Sequence, residues 1–255
     1  MAVLTHWDGE PVGVWARVWR ADVVEAHDVV GSTNDRLREL AALGAGPFSV
    51  VVAEEQTAGR GRAGSSWHSP PGAGLWISTL LPSEEPVMPY LPLLVGLAAA
   101  RAAERACPGV RVGIKWPNDL EIGGRKTGGI LCEHGHGAVV AGIGLNVRLP
   151  AAGLPAELAA RATSLESSAP GRVSLGTLAT ALLHELREIV PHRPCPLSPA
   201  LHEELERRDV LRDRPVMTER AGEGTARGIA ADGALWVERP DRERVRVVAG
   251  SVRRL

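Results

Sequence analysis

Apolar positions along the chain change period repeatedly, and each change marks an element. Val23 to Val30 mixes apolar and acidic residues as a strand does, and Gly31-Ser32-Thr33-Asn34 breaks it. Ser32 with Asp35 three residues on has capping-box form, Asp replacing the usual Glu. It predicts a helix to Leu43 with Leu37, Leu40 and Ala41 on one face and Gly44 past its end. Ser49 to Ala53 is apolar and β-branched, the composition of a buried central strand. Thr57 to Gly74 then runs eighteen residues without an apolar period and holds five glycines, two prolines and two arginines. A loop that long inside a compact domain is usually functional or mobile. Leu75 to Leu81 predicts a strand, and Pro89 to Cys107 an Ala/Leu-rich helix lying on a sheet face.

Three strand-like pieces follow, Arg111–Trp116, Ile130–Glu133 and Ala138–Val147, with turns at Gly123-Gly124 and Gly135-His136-Gly137. Pro150 to Arg172 is rich in Ala, Pro and Ser and has no clear stripe, whereas Leu175–Val190 and Ser198–Arg208 read as helices. After Arg214 the period shortens to strands at Pro215–Glu219, Thr225–Ala230, Ala234–Glu238 and Arg244–Val248, with turns at Gly222–Gly224 and Asp232-Gly233. That spacing suits a small β-barrel of about forty residues. The pattern predicts an α+β domain, its elements between about residues 20 and 205, followed by a barrel. The domains are placed at 1–208 and 209–255.

Composition narrows the function. The 29 basic and 30 acidic residues leave a net charge of −1, so no basic excess drives nonspecific nucleic-acid binding. The N-terminal residues lack the apolar stretch of a secretory signal, and Leu91 to Ala100, the longest apolar run, is about half a bilayer span. Cys107, Cys132 and Cys195 stand in no metal or redox spacing and read as free thiols. These features predict a soluble cytoplasmic protein without a nucleic-acid or membrane partner.

The cations are unevenly made: 27 are Arg, and the two lysines, Lys115 and Lys126, stand eleven residues apart. A compositional bias removes a residue wherever a substitute serves, so the lysines mark places where a compact ammonium is needed rather than a planar fork. The other rare polar residues, Asn34, Asn118, Asn146 and Gln56, fall in the same stretch of chain, in Gly-rich or turn-like segments.

Gly59-Arg60-Gly61-Arg62-Ala63-Gly64 spells the dinucleotide pattern, but Pro70, Pro71 and Gly72 cannot open the helix that motif requires. What remains is a glycine loop with two guanidinium groups, suited to an anion or, alternatively, to plain solvent exposure. Lys115-Trp116-Pro117-Asn118-Asp119 puts a cation at a strand end before a turn, and Lys126-Thr127-Gly128-Gly129-Ile130 puts the second just before a strand. The run between them would carry both ammonium groups to one sheet edge. With Gly142-Ile143-Gly144-Leu145-Asn146 these segments collect cations and amides around glycines, a nucleotide-phosphate environment. His134 and His136 in a Gly turn are read as surface residues, and no metal motif is present.

In order and spacing, Ser32-Thr33-Asn34, Glu55 to Arg62, Trp67, Lys115 to Asp119, Lys126 to Leu131 and Gly142 to Asn146 resemble the biotin protein ligase family (biotin–[acetyl-CoA-carboxylase] ligase), densely over residues 23 to 149. The resemblance implies a central mixed sheet flanked by helices, of the class II synthetase-like biotin/lipoate ligase type, and a C-terminal SH3-like β-barrel. It also implies a two-step reaction. Biotin and ATP, with Mg²⁺, give biotinyl-5′-AMP and pyrophosphate, and the biotinyl group then passes to one lysine of a biotin carboxyl carrier domain of acyl-CoA carboxylases. Attack of a carboxylate on a polyanion needs its repulsion screened, and Arg60, Arg62, Lys115 and Lys126 supply four cations.

By the same resemblance Lys126 bridges the biotin carboxylate and the α-phosphate, with Arg62 and Lys115 as the other catalytic cations. Ser32, Thr33 and Gln56, with Asn34 close by, serve the ureido ring, and Arg60, Gly61 and Arg62 close over the ligand. Arg62, Trp67, Lys115, Asn118 and Asn146 serve the nucleotide, and no protein metal site is implied. Closure also fits the need to keep water from a labile anhydride. The acceptor lysine, with a reference pKa of about 10.4, is mostly protonated at neutral pH, and Asp119 is the candidate to orient or deprotonate it.

The chain departs from the family pattern at Ala63, Ser65 and Ser66, which replace basic residues, and at Gly128, which replaces Ala. Only about 31 residues precede Ser32, too few for the winged helix-turn-helix of repressor members, so a form without operator binding is expected. The alternatives are a lipoate or octanoate ligase and a biotin-binding sensor without turnover.

Overall fold

A computed structural model of the protein describes residues 2–82, 88–135, 138–149, 156–169, 171–190 and 197–255. Cys195, His136 and the turn at Gly137 lie outside them, as do 150–155 and 170 of the Ala/Pro/Ser-rich segment. In chain order the elements are β1 (His6–Trp7), β2 (Glu10–Pro11), α1 (Val12–Trp19), β3 (Val24–Val30), α2 (Thr33–Ala42), β4 (Val50–Gln56), β5 (Gly74–Leu81), α3 (Leu91–Ala106), β6 (Gly113–Lys115), β7 (Asp119–Ile122), β8 (Arg125–Gly135) and β9 (Ala138–Asn146). Then come α4 (Ala156–Arg161), α5 (Leu165–Ser168), α6 (Leu175–Ile189), α7 (Pro199–Arg208), β10 (Pro215–Thr218), β11 (Gly222–Ile229), β12 (Leu235–Glu238), β13 (Arg244–Val247) and β14 (Val252–Arg254).

Seven strands form the main sheet in the order β3-β4-β5-β9-β8-β7-β6. The β3–β4 pair is parallel and every other neighbour is antiparallel, which makes the sheet mixed, as expected. The two faces of β5 separate the molecule into layers. Leu75, Ile77 and Leu81 point into the large core with α3 and α6, whereas Leu80 joins Leu37, Leu40, Val51 and Val140 beneath α2. Burying α3 leucines such as Leu91, Leu94 and Leu97 contributes about 1.5–3 kcal/mol each. The predicted apolar face of α2 is therefore the one that packs.

Several expectations are corrected. The capping box does not form: Ser32 is the N-cap residue in extended backbone but makes no cap hydrogen bond, and the Asp35 carboxylate instead binds the Arg38 and Arg60 guanidinium groups. Lys126 lies within β8, which starts five residues before Ile130, and β7 fills what reads as part of a turn. The 57–74 loop is a folded-back excursion rather than open coil. Gly61 N–H donates to the Ser65 carbonyl (2.7 Å) and Trp67 N–H to the Gly59 carbonyl (2.9 Å) around a short 3₁₀ turn, Arg62–Gly64. No helix opens at its glycines, as the prolines required.

The C-terminal strands form a five-stranded antiparallel sheet, β13-β12-β11-β10-β14, of SH3-like form. Gly222–Gly224 starts β11 instead of turning, and β14 adds a strand the periodicity does not show. This unit is docked, not dangling. Trp116 Nε1 donates to the Gly233 carbonyl (2.9 Å), and Arg254 pairs with Glu121 (2.6 Å). Among the described residues no helix is long and apolar enough to cross a membrane.

Candidate active site

The predicted residues converge on the α2 face of the main sheet, around a cleft of about 420 Å³. Small-molecule sites are typically about 300–1,000 Å³. Its inner end is built where the first turn of α2 crosses β4 and β5. Thr33 donates to Gln56 Oε1 from both its backbone N–H (2.9 Å) and its hydroxyl (3.0 Å), and Gln56 Nε2 donates to Ser69 Oγ (2.9 Å). Ser78 Oγ lies 2.7 Å from Thr33 Oγ1 and 2.6 Å from Asn34 Oδ1. Asn34 Nδ2 donates to Glu133 (2.7 Å) and to the Leu131 carbonyl (3.3 Å). Asn34 thus spends its polar atoms on the protein and supports the floor. Ser32, buried and free of cap duty, faces the cleft with Thr33 and Gln56. Gly142 on β9 makes room for this layer, since a Cβ there would overlap Asn34 Oδ1.

The outer end carries the cations. β6, β7 and β8 stand at the sheet edge, and Asp119 sits between the two lysines, 2.6 Å from Lys126 Nζ and 3.8 Å from Lys115 Nζ. Lys126 reaches this face through a β-bulge. Leu120 pairs with Gly128, but Glu121 pairs with Lys126, so Thr127 is an extra residue on β8. A Cβ at Gly129 would point at Trp67 and lie 3.6 Å from Lys126 Nζ, whereas one at Gly128 would meet Leu145 and Leu120 in the core. Strict alternation would put Lys126 on the side of Gly128, and the bulge moves it to the side of Gly129.

Trp67 lies across the cleft wall, edge-on to Trp76 (6.3 Å), with Lys126 Nζ 5.2 Å from its ring centroid. Bare backbone at Gly144 permits this, because a Cβ would come within 2.5 Å of Trp67 Nε1. That indole nitrogen is buried without a hydrogen-bond partner. Arg62 spans the top of the cleft, donating to Asn118 Oδ1 and to the Gly250 carbonyl at 3.3 Å each. Asn118 in turn donates to the Ile130 carbonyl (2.8 Å).

Arg60 and Asn146, like Asn34, are engaged by protein partners. Arg60 binds Asp35 and Glu133 (3.0 Å), and the Asp35 carboxylate, with Glu133 second, raises its guanidinium above the ordinary arginine range. Asn146 is buried outside the cleft lining, and its amide donates to the Thr163 carbonyl (3.1 Å) and the Lys126 carbonyl (3.5 Å). It braces the strand behind Lys126, whereas the expectation groups it with the nucleotide-binding residues.

Sequence reasoning missed Ser78, Asp35, Glu133 and the C-terminal residues Glu219 and Gly250 to Val252, all at or around the cleft. A polar Ser78-Thr79 pair inside the apolar run Leu75–Leu81 was a readable signal. The C-terminal residues arrive by domain docking, which leaves no local mark. Burial pushes the Cys132 thiol up to about 12. His134 is exposed, and among the described residues no group of three or more His, Cys, Asp or Glu side chains is placed to hold a metal ion.

Residues 26–149 match the biotin/lipoate A/B protein ligase family. The bifunctional ligase/repressor BirA of Bacillus subtilis is 42% identical over 154 residues, which make up 58% of this chain and 47% of that protein. The chain thus spans about half the length of this relative. The biotin–[acetyl-CoA-carboxylase] ligase of Mycobacterium tuberculosis is 36% identical over 221 residues, 84% of this chain and 80% of that protein. Among solved structures, the biotin protein ligase from Aquifex aeolicus in complex with biotin and ATP is similar with a TM-score of 0.75 at 26% identity, covering 91% of this chain and 99% of that one.

Proposed function

From the premise that the chain belongs to the biotin protein ligase family, we propose that it joins biotin to a carrier protein in two steps. In the first, a biotin carboxylate oxygen attacks the α-phosphorus of ATP, the bond to the β-phosphate oxygen breaks, and pyrophosphate leaves. In the second, the amine of a carrier lysine attacks the acyl carbon, AMP leaves, and the amine proton goes to solvent or to a carboxylate. The carrier is the biotin carboxyl carrier domain of an acyl-CoA carboxylase, and the reaction is cytoplasmic. The observation that carries this reading is the pairing of a neutral hydrogen-bonding floor with two lysines held on one carboxylate at the cleft mouth.

A ureido group is neutral and offers donors and an acceptor, which suits Ser32, Thr33 and Gln56. A triphosphate needs charge that can be redirected, which suits Lys115, Lys126 and Arg62. Lys126 lines the outer part of the cleft beside Trp67, and in this reading the reacting carboxylate and α-phosphate meet at its ammonium. Its ammonium favours the charge that builds there in the transition state. Trp67 and Asn118 flank the nucleotide side. Mg²⁺ arrives on ATP as part of that substrate, and Asp119 is engaged by the two lysines.

Pyrophosphate release from ATP tests this with biotin, with lipoate and with neither, on the wild type and Lys126→Ala. Biotin-dependent release that the variant loses is expected. Release with lipoate alone would make the protein a lipoate or octanoate ligase. Tight biotin binding without release would make it a sensor.

A further inference from the structure

We infer that the two arginines of the glycine loop have different jobs: Arg60 is a positioning residue that ties the loop stem to the floor of the cleft through Glu133 and Asp35, and Arg62 is the cation that meets the ligand. This rests on the ligase reading above for what the ligand is, but the tie itself is a property of the free protein.

The partners of the two guanidinium groups differ in kind. Arg60 is held from two sides by carboxylates, Asp35 on the first turn of α2 and Glu133 on β8. Turning it toward a phosphate would break its charge-assisted hydrogen bonds to both carboxylates and leave the two without it. Among the described residues Arg62 donates to neutral oxygens, Asn118 Oδ1 and the Gly250 carbonyl, at 3.3 Å each. A phosphate would displace those long contacts readily.

The backbone gives the same division. Arg60 pairs with Ser66 across the stem, while Arg62 opens the tip, where Ala63 takes a left-handed conformation (φ 51°). Glu133 joins the stem to the floor, because it also accepts from Asn34 Nδ2 (2.7 Å), and Asn34 Oδ1 faces the Ser78 hydroxyl that meets Thr33. An unbroken polar chain therefore runs Thr33, Ser78, Asn34, Glu133, Arg60. A ligand that orders Thr33 also steadies the base of the loop that covers it. With the clamp gone, the tip still carries Arg62, but its closure over the adenylate is no longer anchored.

The test uses full-length Glu133→Gln, Arg60→Gln, their double variant, and Asp35→Asn, which spares the Asn34 contact should Glu133→Gln fold poorly. Trypsin cleavage after Arg62 in substrate-free protein should speed up several-fold in Glu133→Gln and Asp35→Asn. Escape of preformed biotinyl-AMP, read as pyrophosphate released per carrier biotinylated, should rise roughly tenfold. The double variant should be no worse than Arg60→Gln alone, because both changes cut one connection. Unchanged cleavage and unchanged retention would overturn the inference, and so would additive effects in the double variant. If the wild type makes no adenylate, the ligase reading falls, and the trypsin comparison still decides whether the clamp exists.

Discussion

The two ends of the cleft are prepared differently. At the inner end the groups are neutral and Thr33, Gln56, Asn34 and Ser78 are already bonded to one another: Gln56 Oε1 takes both donors of Thr33, and Ser78 and Asn34 lock behind them. At the outer end each cation rests on something the substrate would replace, Lys126 and Lys115 on Asp119 and Arg62 on two neutral oxygens. Neutral recognition can be pre-organised without penalty, since satisfied dipoles keep one another in place. A group of cations without its anion repels itself and needs counter-charge until the ligand arrives. The inner end therefore sets which acid enters, and the outer end sets what happens to it.

The sharpest way to break this comparison is to remove a cation. Lys126→Ala is expected to lower biotin-dependent pyrophosphate release about a thousandfold, the scale of losing a positioned donor to developing charge. Biotin binding, followed by titration calorimetry, should change far less. Loss of biotin affinity with unchanged turnover of the bound complex would put Lys126 in the floor and erase the distinction. The complementary change is Gly142→Ala, whose methyl would overlap Asn34 Oδ1 and push the floor out of register. Overpacking of this kind costs about 1–3 kcal/mol, so the KM for biotin should rise about tenfold or more while the KM for ATP stays put. A rise in the KM for ATP instead would show that the ends are not separable.

Asp119→Asn is the intermediate case. If the carboxylate only holds the lysines in waiting, its loss should tighten ATP binding about threefold, the worth of a partly exposed ion pair. Transfer from preformed adenylate to the carrier tests its second role, orienting or deprotonating the acceptor lysine. Transfer at the wild-type rate would remove that role and leave Asp119 as a counter-charge alone.

Much of this is legible in the amino-acid sequence. The apolar face of α2, the strand β5 and the helix α3 follow from period, and the scarcity of lysine in an arginine-rich chain singles out Lys115 and Lys126. What stayed hidden has specific causes. The side of the sheet that Lys126 faces depends on one extra residue, Thr127, and a bulge shifts register without changing composition. Asp35 reads as a helix cap because local patterns favour the nearest partner, whereas Arg60, 25 positions away, binds it. Asn146 reads as a ligand contact beside its glycines, yet the strand turns its amide toward Thr163. Glu219 and Gly250 to Val252 reach the cleft only because the C-terminal sheet docks through Trp116 and Arg254, contacts between segments more than a hundred residues apart.

The smallest expected effect concerns an acid that, unlike Asp35, Asp119 and Glu133, has no cation bonded to it among the described residues. Asp209 ends α7 where the chain passes into the C-terminal sheet. Its Oδ1 accepts from Leu211 N–H (2.9 Å), and its Oδ2 is buried without a partner. Burial pushes its carboxyl up to about 6, whereas the Arg101 guanidinium holds Glu204 below the usual carboxylate range. The signs are opposite. Between about pH 4 and 6 the folded chain keeps a proton on Asp209 that the unfolded chain has released, so stability falls as pH rises through that window. Glu204 stabilises at neutral pH and loses its contribution as pH falls through the carboxylate range. Asp209→Asn should therefore raise Tm at pH 7.5 by about 2–4 °C, the shift expected of about 1 kcal/mol in a chain of this size, and leave Tm at pH 4 unchanged. Thermal melts at both pH values decide it. An equal gain at the two would mean that the amide packs better, and that the carboxyl's charge is no burden to the fold.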